Sequence, residues 1–390
     1  MRIGWIILGL FLGGCSSLLG TPIAPTDVAV ATGDLPAGET SAEVPALDTS
    51  KHSVPLEQIY FDTFQPINRA VPLTEASPEL ILSLQDAIPP INNPRFETID
   101  RASWLTDSDQ VIGYANESGA WAFPIRILNL HEIVNAELGG EPILISYCPL
   151  CYSAIVYSRA LLGDRELTFG NTSALYESDM VMLDYETGSY WWQVAGEAIV
   201  GPLTGTALTP LPSLTTTWEL WQELHPATLV LSRDTGFARN YNQDPFAGYD
   251  EIINRGNFAF PVSEAALDVR LLPGSKVLAV KVGNAARAYP ISGAGKIVIM
   301  DLLEDQEVVI FIDEQSGAGA AFWATVGDQS LSFELRDGSF FDLETGSRLD
   351  FRGRAVEGDL LGKQLQALPA KLSFWFAIVA AEPGISVYTP

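Results

Sequence analysis

Residues Gly196 to Pro212 lie over Gly353 to Pro369 without a gap, and this self-similarity restricts the fold more than any other feature of the chain. The same register carries Trp218 over Trp375 and Pro226 over Pro383. Asp184-Tyr-Glu-Thr-Gly-Ser189 recurs as Asp342-Leu-Glu-Thr-Gly-Ser347, and Phe123-Pro-Ile recurs as Tyr289-Pro-Ile. A sequence that repeats at this spacing encodes one supersecondary unit more than once. Two copies suit a pseudo-twofold pair better than an open solenoid, which usually needs three or more.

The texture of each copy is mostly β. Gln110-Val-Ile-Gly-Tyr114, Ile143 to Tyr147, Ala154 to Tyr157, Leu167 to Phe169 and Leu229 to Leu231 are short and rich in β-branched or aromatic residues, with Gly and Asn punctuation. Helices are expected over Glu79 to Ala87, Ile127 to Ala136 and Thr216 to Leu224, the last closed by Pro226. No βαβ rhythm is present. The expected fold class is therefore α+β, predominantly β, built as two tandem copies of one β-rich module packed as a pseudo-twofold pair, and not a thioredoxin-like one.

The repeat also serves as an internal control on chemistry. Glycines, prolines and the Asp-x-Glu-Thr-Gly-Ser turn occur in both copies and read as scaffold. Cys148-Pro-Leu-Cys151 occurs in the first copy only, and Asp313-Glu-Gln-Ser316 stands in its place in the second. The dithiol follows an apolar run and precedes a period-2 segment, so it is expected where two strands meet. Two thiolates at this spacing can share a metal ion or close a small disulfide, and Pro149 stiffens the loop.

His131 is the leading further ligand, on the expected helix, with Glu132 beside it. Met180 and Met182, two apart, would face one side of a strand. Cysteine, histidine and methionine together are the soft set that selects copper; zinc would need a harder or imidazole ligand such as Glu132 or Asp184. Alternatives are a structural disulfide, or a nucleophilic Cys148 or Cys151 with His131 as base and Asn135 or Asp184 orienting it. Arg159, Trp191, Trp192 and Gln193 could form a ligand-binding face. His225 reads as a helix-end residue, and His52 falls outside the modules.

Net charge is -26, from 48 acidic against 22 basic residues, which excludes nucleic acid and anionic lipid head groups as partners. At the N-terminus, Arg2 precedes a short apolar run, too short to span a bilayer and of the length of a secretory signal. Leu12-Gly-Gly-Cys15 resembles the lipobox of bacterial lipoproteins. That resemblance implies a diacylated Cys15 anchoring the chain to the cell envelope, at the outer membrane in a Gram-negative host because Ser16 follows. Thr21 to Ser53, rich in Ala, Pro, Thr and acidic residues, then reads as a disordered tether.

Five phrases carry a wider resemblance: Asp86-Ala-Ile-Pro-Pro-Ile-Asn92; Phe123-Pro-Ile-Arg-Ile-Leu128 with His131-Glu-Ile-Val-Asn135; Tyr147-Cys-Pro-Leu-Cys151; Met182-Leu-Asp-Tyr-Glu-Thr-Gly-Ser189; and Trp192-Gln193. Together they resemble the DUF3179 family of exported bacterial and archaeal proteins, to which no function is assigned. Asn171-Thr-Ser173 stands where that pattern has a Ser-Gly pair. The expected layout is a signal peptide at 1–14, tether at 15–53, lead-in at 54–93, first module at 94–232, connector at 233–260 and degenerate second module at 261–390. The expected function is an envelope lipoprotein that binds metal, copper first and zinc second, or does thiol redox work. A small-molecule or protein partner is left unnamed.

Overall fold

The computed structural model describes residues 44–161 and 165–389. Strands dominate, with a few short helices, as expected of a mainly β α+β chain. The expected signal peptide, Cys15 and most of the expected tether lie outside the described residues. The last residues assigned to that tether are docked on a sheet edge: Ser53 donates to Ile199 O, Gly201 donates to Lys51 O, and His52 bridges Val200. No helix among the described residues is long and apolar enough to cross a membrane.

Three layers follow one another in the first half. The hairpin Gln110–Asn116 and Gly119–Pro124 is flanked by Leu214–Thr217, antiparallel, and by Leu229–Leu231, parallel. An antiparallel group, Ile133–Leu138, Glu141–Cys148 and Ser153–Ser158, comes next. A meander of Phe169–Tyr176, Asp179–Asp184, Tyr190–Trp192 and Glu197–Val200 completes the set.

In the second half the hairpin Lys276–Val282 and Ala285–Pro290 is flanked by Ala370–Phe374, antiparallel, and Ser386–Val387, parallel. The group Lys296–Leu303, Gln306–Asp313 and Ala318–Trp323 and the meander Phe333–Arg336, Ser339–Asp342, Arg348–Leu349 and Ala355–Glu357 follow. Helices Trp218–Leu224 and Trp375–Ala381 each follow the strand that flanks their hairpin.

The halves are interlocked. Ala154 pairs with Leu372, so one sheet runs through both, and Thr217 N donates to Ser316 O across the other junction. One core packs the first meander and both cysteines against Val277, Ala288 and the helix residues Trp375 to Val379 of the second half. Another packs Phe311, Phe333, Phe340 and Phe351 of the second half against Val111, Trp218 and Trp221 of the first. Burying such faces is the main drive for folding, at roughly 25 cal/mol per Å2 of apolar surface.

The helix expected from Ile127 to Ala136 is corrected. The observed helix is Ile125–Leu128, capped at Asn129, and Ile133–Leu138 is a strand: a turn follows the helix, Glu132 takes a left-handed φ of 59°, and β-branched Ile133 and Val134 then pair with Ser146 and Ile145. The Pro78–Leu84 helix is present, its start capped by Ser77, which accepts from Leu80 N. Trp218–Leu224 begins later than expected, since Leu214–Thr217 is strand.

Candidate metal centre

The strand Glu141–Cys148 is buried from Ile143 onward, as suits a continuous apolar run covered on both faces. It delivers Cys148 as its last residue, paired with Ser153 at the start of the next strand. Between them Pro149 to Tyr152 make a tight turn in which Cys151 N donates to Cys148 O and Tyr152 adopts a positive φ. Both sulfurs are free thiols, 1% and 0% exposed.

A third acid meets them. Asp179 opens the strand Asp179–Asp184 after a turn in which Glu177 and Ser178 have positive φ. Its Oδ1 accepts from Cys151 Sγ at 2.6 Å, and its Oδ2 accepts from Val194 N at 2.8 Å. One donor atom from each of Cys148, Cys151 and Asp179 lies within 4.8 Å of the other two, and all three residues are buried.

Beside this cluster Glu132 Oε2 accepts from Asn171 Nδ2 at 2.6 Å, and that amide also lies 3.5 Å from Met180 Sδ. Asn171 stands at a bulge in its strand, where Ser173 takes φ 57°. Glycine holds this conformation without strain, so the departure from a Ser-Gly pair falls at a point of backbone tension.

Four buried acidic groups thus face one another, and among the described residues no lysine or arginine forms a salt bridge with Glu132 or Asp179. Burial is the largest influence on each. It raises the Glu132 carboxyl to about 8 and the Asp179 carboxyl to about 6. It also pushes both thiols up, with the negative charge of Asp179 adding to the effect. A cation in their midst would reverse this cost.

A cleft of about 280 Å3 reaches the cluster from one side; Cys148, Glu132, Asn171 and Met180 line it, while Cys151 and Asp179 sit behind its wall. Arg69, paired with Asp62, and Arg239 also line the cleft.

Of the residues singled out from the sequence, the structure gathers Cys148, Cys151, Glu132 and Met180. His131 is not with the thiols. Its Nδ1 lies 2.7 Å from Pro89 O, so that nitrogen carries the proton, and its Nε2 accepts from Tyr241 OH at 2.7 Å. Tyr241 in turn is 2.6 Å from Thr235 Oγ1. Burial lowers the imidazole pKa to about 4, so the ring is neutral and acts as a post for the 235–241 segment. A Cys–His nucleophile pair is accordingly not assembled.

Met182 is packed in the core and does not line the cleft. Asp184 is consumed by its turn, accepting from Thr187 N, Thr187 Oγ1 and Trp191 Nε1, and Asp342 binds Thr345 in the same way. Asn135 ties Asn92 to both backbone groups of Phe169.

The residues of the expected ligand face, Arg159, Trp191, Trp192 and Gln193, are all buried. Arg159 donates to the carbonyls of Ile143, Leu167 and Ala136, and Gln193 bridges Ser146 and Ser153. A polar side chain met by the interior this fully is structural. His225 stacks on Trp221 at the helix end, as expected. Sequence reasoning missed Asp179 and Asn171.

The fold and the site define a β-rich protein with a buried dithiol–carboxylate cluster behind the wall of a cleft. The family model DUF3179, described as a protein of unknown function, matches residues 85–384, and the chain belongs to that family. No curated protein and no solved structure matches it.

Proposed function

We propose that Cys148, Cys151 and Asp179 hold a transition-metal ion and that metal binding is the work of this site. The observation that carries the reading is the convergence of two sulfurs and a carboxylate oxygen in one buried place, where no lysine or arginine among the described residues forms a salt bridge with the carboxylate. Zinc(II) accepts thiolates together with a carboxylate, and it is the ion this donor set fits best. Copper(I), favoured when only the sequence is considered, would draw on the thioether of Met180, whereas His131 and Met182 are engaged elsewhere.

Elemental analysis and a thiol count on the same purified sample test this. About one ion per chain is expected, lost in Cys151→Ser and weakened at least tenfold in Asp179→Asn, with Met180→Leu lowering affinity only if the ion is copper(I). Two free thiols with no metal, in protein prepared without chelator, overturn the reading.

One observation favours a second role. Cys151 donates to a carboxylate whose pKa is raised to about 6, so above that pH Asp179 can take the Cys151 proton as the dithiol closes and hand it on, while two electrons and the Cys148 proton also pass to a partner disulfide, which leaves as two thiols. Recovery of the metal-free protein as the Cys148–Cys151 disulfide supports that role instead.

The matching strand orders of the two halves, and the shared Asp184 and Asp342 turns, support reading the chain as two copies of one module about a pseudo-twofold axis, the second having lost the site. The N-terminal sequence supports export and lipid anchoring at Cys15, which radiolabelled-lipid incorporation and its loss in Cys15→Ser would test.

A further inference from the structure

Three features of the cleft remain unused by a metal site alone. Its walls are largely apolar, with Leu130, Leu150, Leu175 and Phe246 among the lining residues, and its volume of about 280 Å3 is at the small end of ligand pockets. Arg239 lines it half-buried and has no carboxylate partner among the described residues, in a chain where acidic residues outnumber basic ones by 48 to 22. Arg69, on the same cleft, is already held by both oxygens of Asp62. Asn129, 6% exposed, lines the cleft with its Nδ2 on Asp244 and its Oδ1 buried without a hydrogen-bond partner.

Backbone strain gathers here as well. Phe64, Glu132 and Ser173 line the cleft with φ of 55°, 59° and 57°. Non-glycine residues are held in that region when the surroundings over-determine them, which happens most often around ligands.

We propose that this cleft binds a small monocarboxylate with an apolar body. Its carboxylate pairs with the fork of Arg239, and its hydrocarbon part lies against the leucines. One guanidinium suits a singly charged planar anion, and the acidic groups nearby disfavour a phosphate of higher charge. The assignment deepens the metal reading, because the occupant would lie beside Cys148, but it depends on that reading only at that end of the cleft.

The test is calorimetric titration of the full chain, metal-loaded and metal-free, with pentanoate and pentanamide, and with metal content measured on each sample. One pentanoate per chain is expected, with pentanamide not binding. Arg239→Gln should weaken the acid at least tenfold while unfolding at the temperature of the parent, and Arg239→Lys should recover part of that loss. Equal binding of pentanamide, unchanged affinity in Arg239→Gln, or no binding in either metal state overturns the proposal. Acid binding by a chain that takes up no metal when metal is offered would remove the metal reading and leave this one standing; bound metal without acid binding would do the reverse.

Discussion

Glu132 lies beside the thiols with its carboxyl lifted from 4.5 to about 8 by burial, and the sign of its effect on stability follows. Between those values the unfolded chain has released the proton while the folded chain retains it. The folded state binds more protons there, so stability falls as pH rises from about 4.5 to 8, and Asp179 contributes in the same direction between 3.8 and about 6. Glu132→Gln should therefore stabilise the metal-free protein at pH 8 by on the order of a few kcal/mol and change little at pH 4, as read from denaturant melts. His131→Ala should destabilise by about 2–3 kcal/mol, through the loss of a buried hydrogen-bonded post, and leave metal content unchanged. Loss of metal in that variant would return His131 to the ligand set. The cysteines were legible because the second copy lacks them. Asp179 was not: the register that lays Asp184 over Asp342 lays it over Asp337, so a comparison of residue types files it as scaffold. The structure separates the two: Asp179 is a fully buried strand residue, and Asp337 is exposed in a hairpin turn with φ 48°.

At the level of elements, strands were readable wherever one run carried both β-branched residues and a turn signal, as in Gln110–Asn116 and Leu229–Leu231. The stretch from Ile127 to Ala136 misled because its apolar spacing fits a helical period, while the left-handed Glu132 that divides it is dictated by tertiary contacts. The Asp-x-Glu-Thr-Gly-Ser turn is a case where sequence and structure agree in detail. Gly188 has φ 69°, and a Cβ there would sit 2.4 Å from Pro45 O. Gly188→Val should cost ~1–3 kcal/mol in chemical denaturation, from turn strain and that clash, without abolishing metal binding. Retention of full stability would mean that the residues around Pro45 yield freely.

On the scale of the whole molecule, the mainly β class was legible from the short β-branched runs, whereas the exchange of cores between halves lay beyond reach because pairing partners distant in sequence leave no local pattern. Each hairpin packs one face on the other half, so two of the four cores among the described residues are shared between the halves. Calorimetry should show one cooperative transition, and residues 94–232 or 261–390 expressed alone should lack a folded near-ultraviolet signal, gaining it only when mixed. Two separate transitions would contradict the shared cores. The connector bears on the site through this same architecture. Arg239 and Phe246, which line the cleft, belong to the stretch that spans the two halves, and His131 pins that stretch through Tyr241. A change that loosens that stretch, such as Tyr241→Phe, therefore acts on the wall of the cleft and on the link between the halves at once.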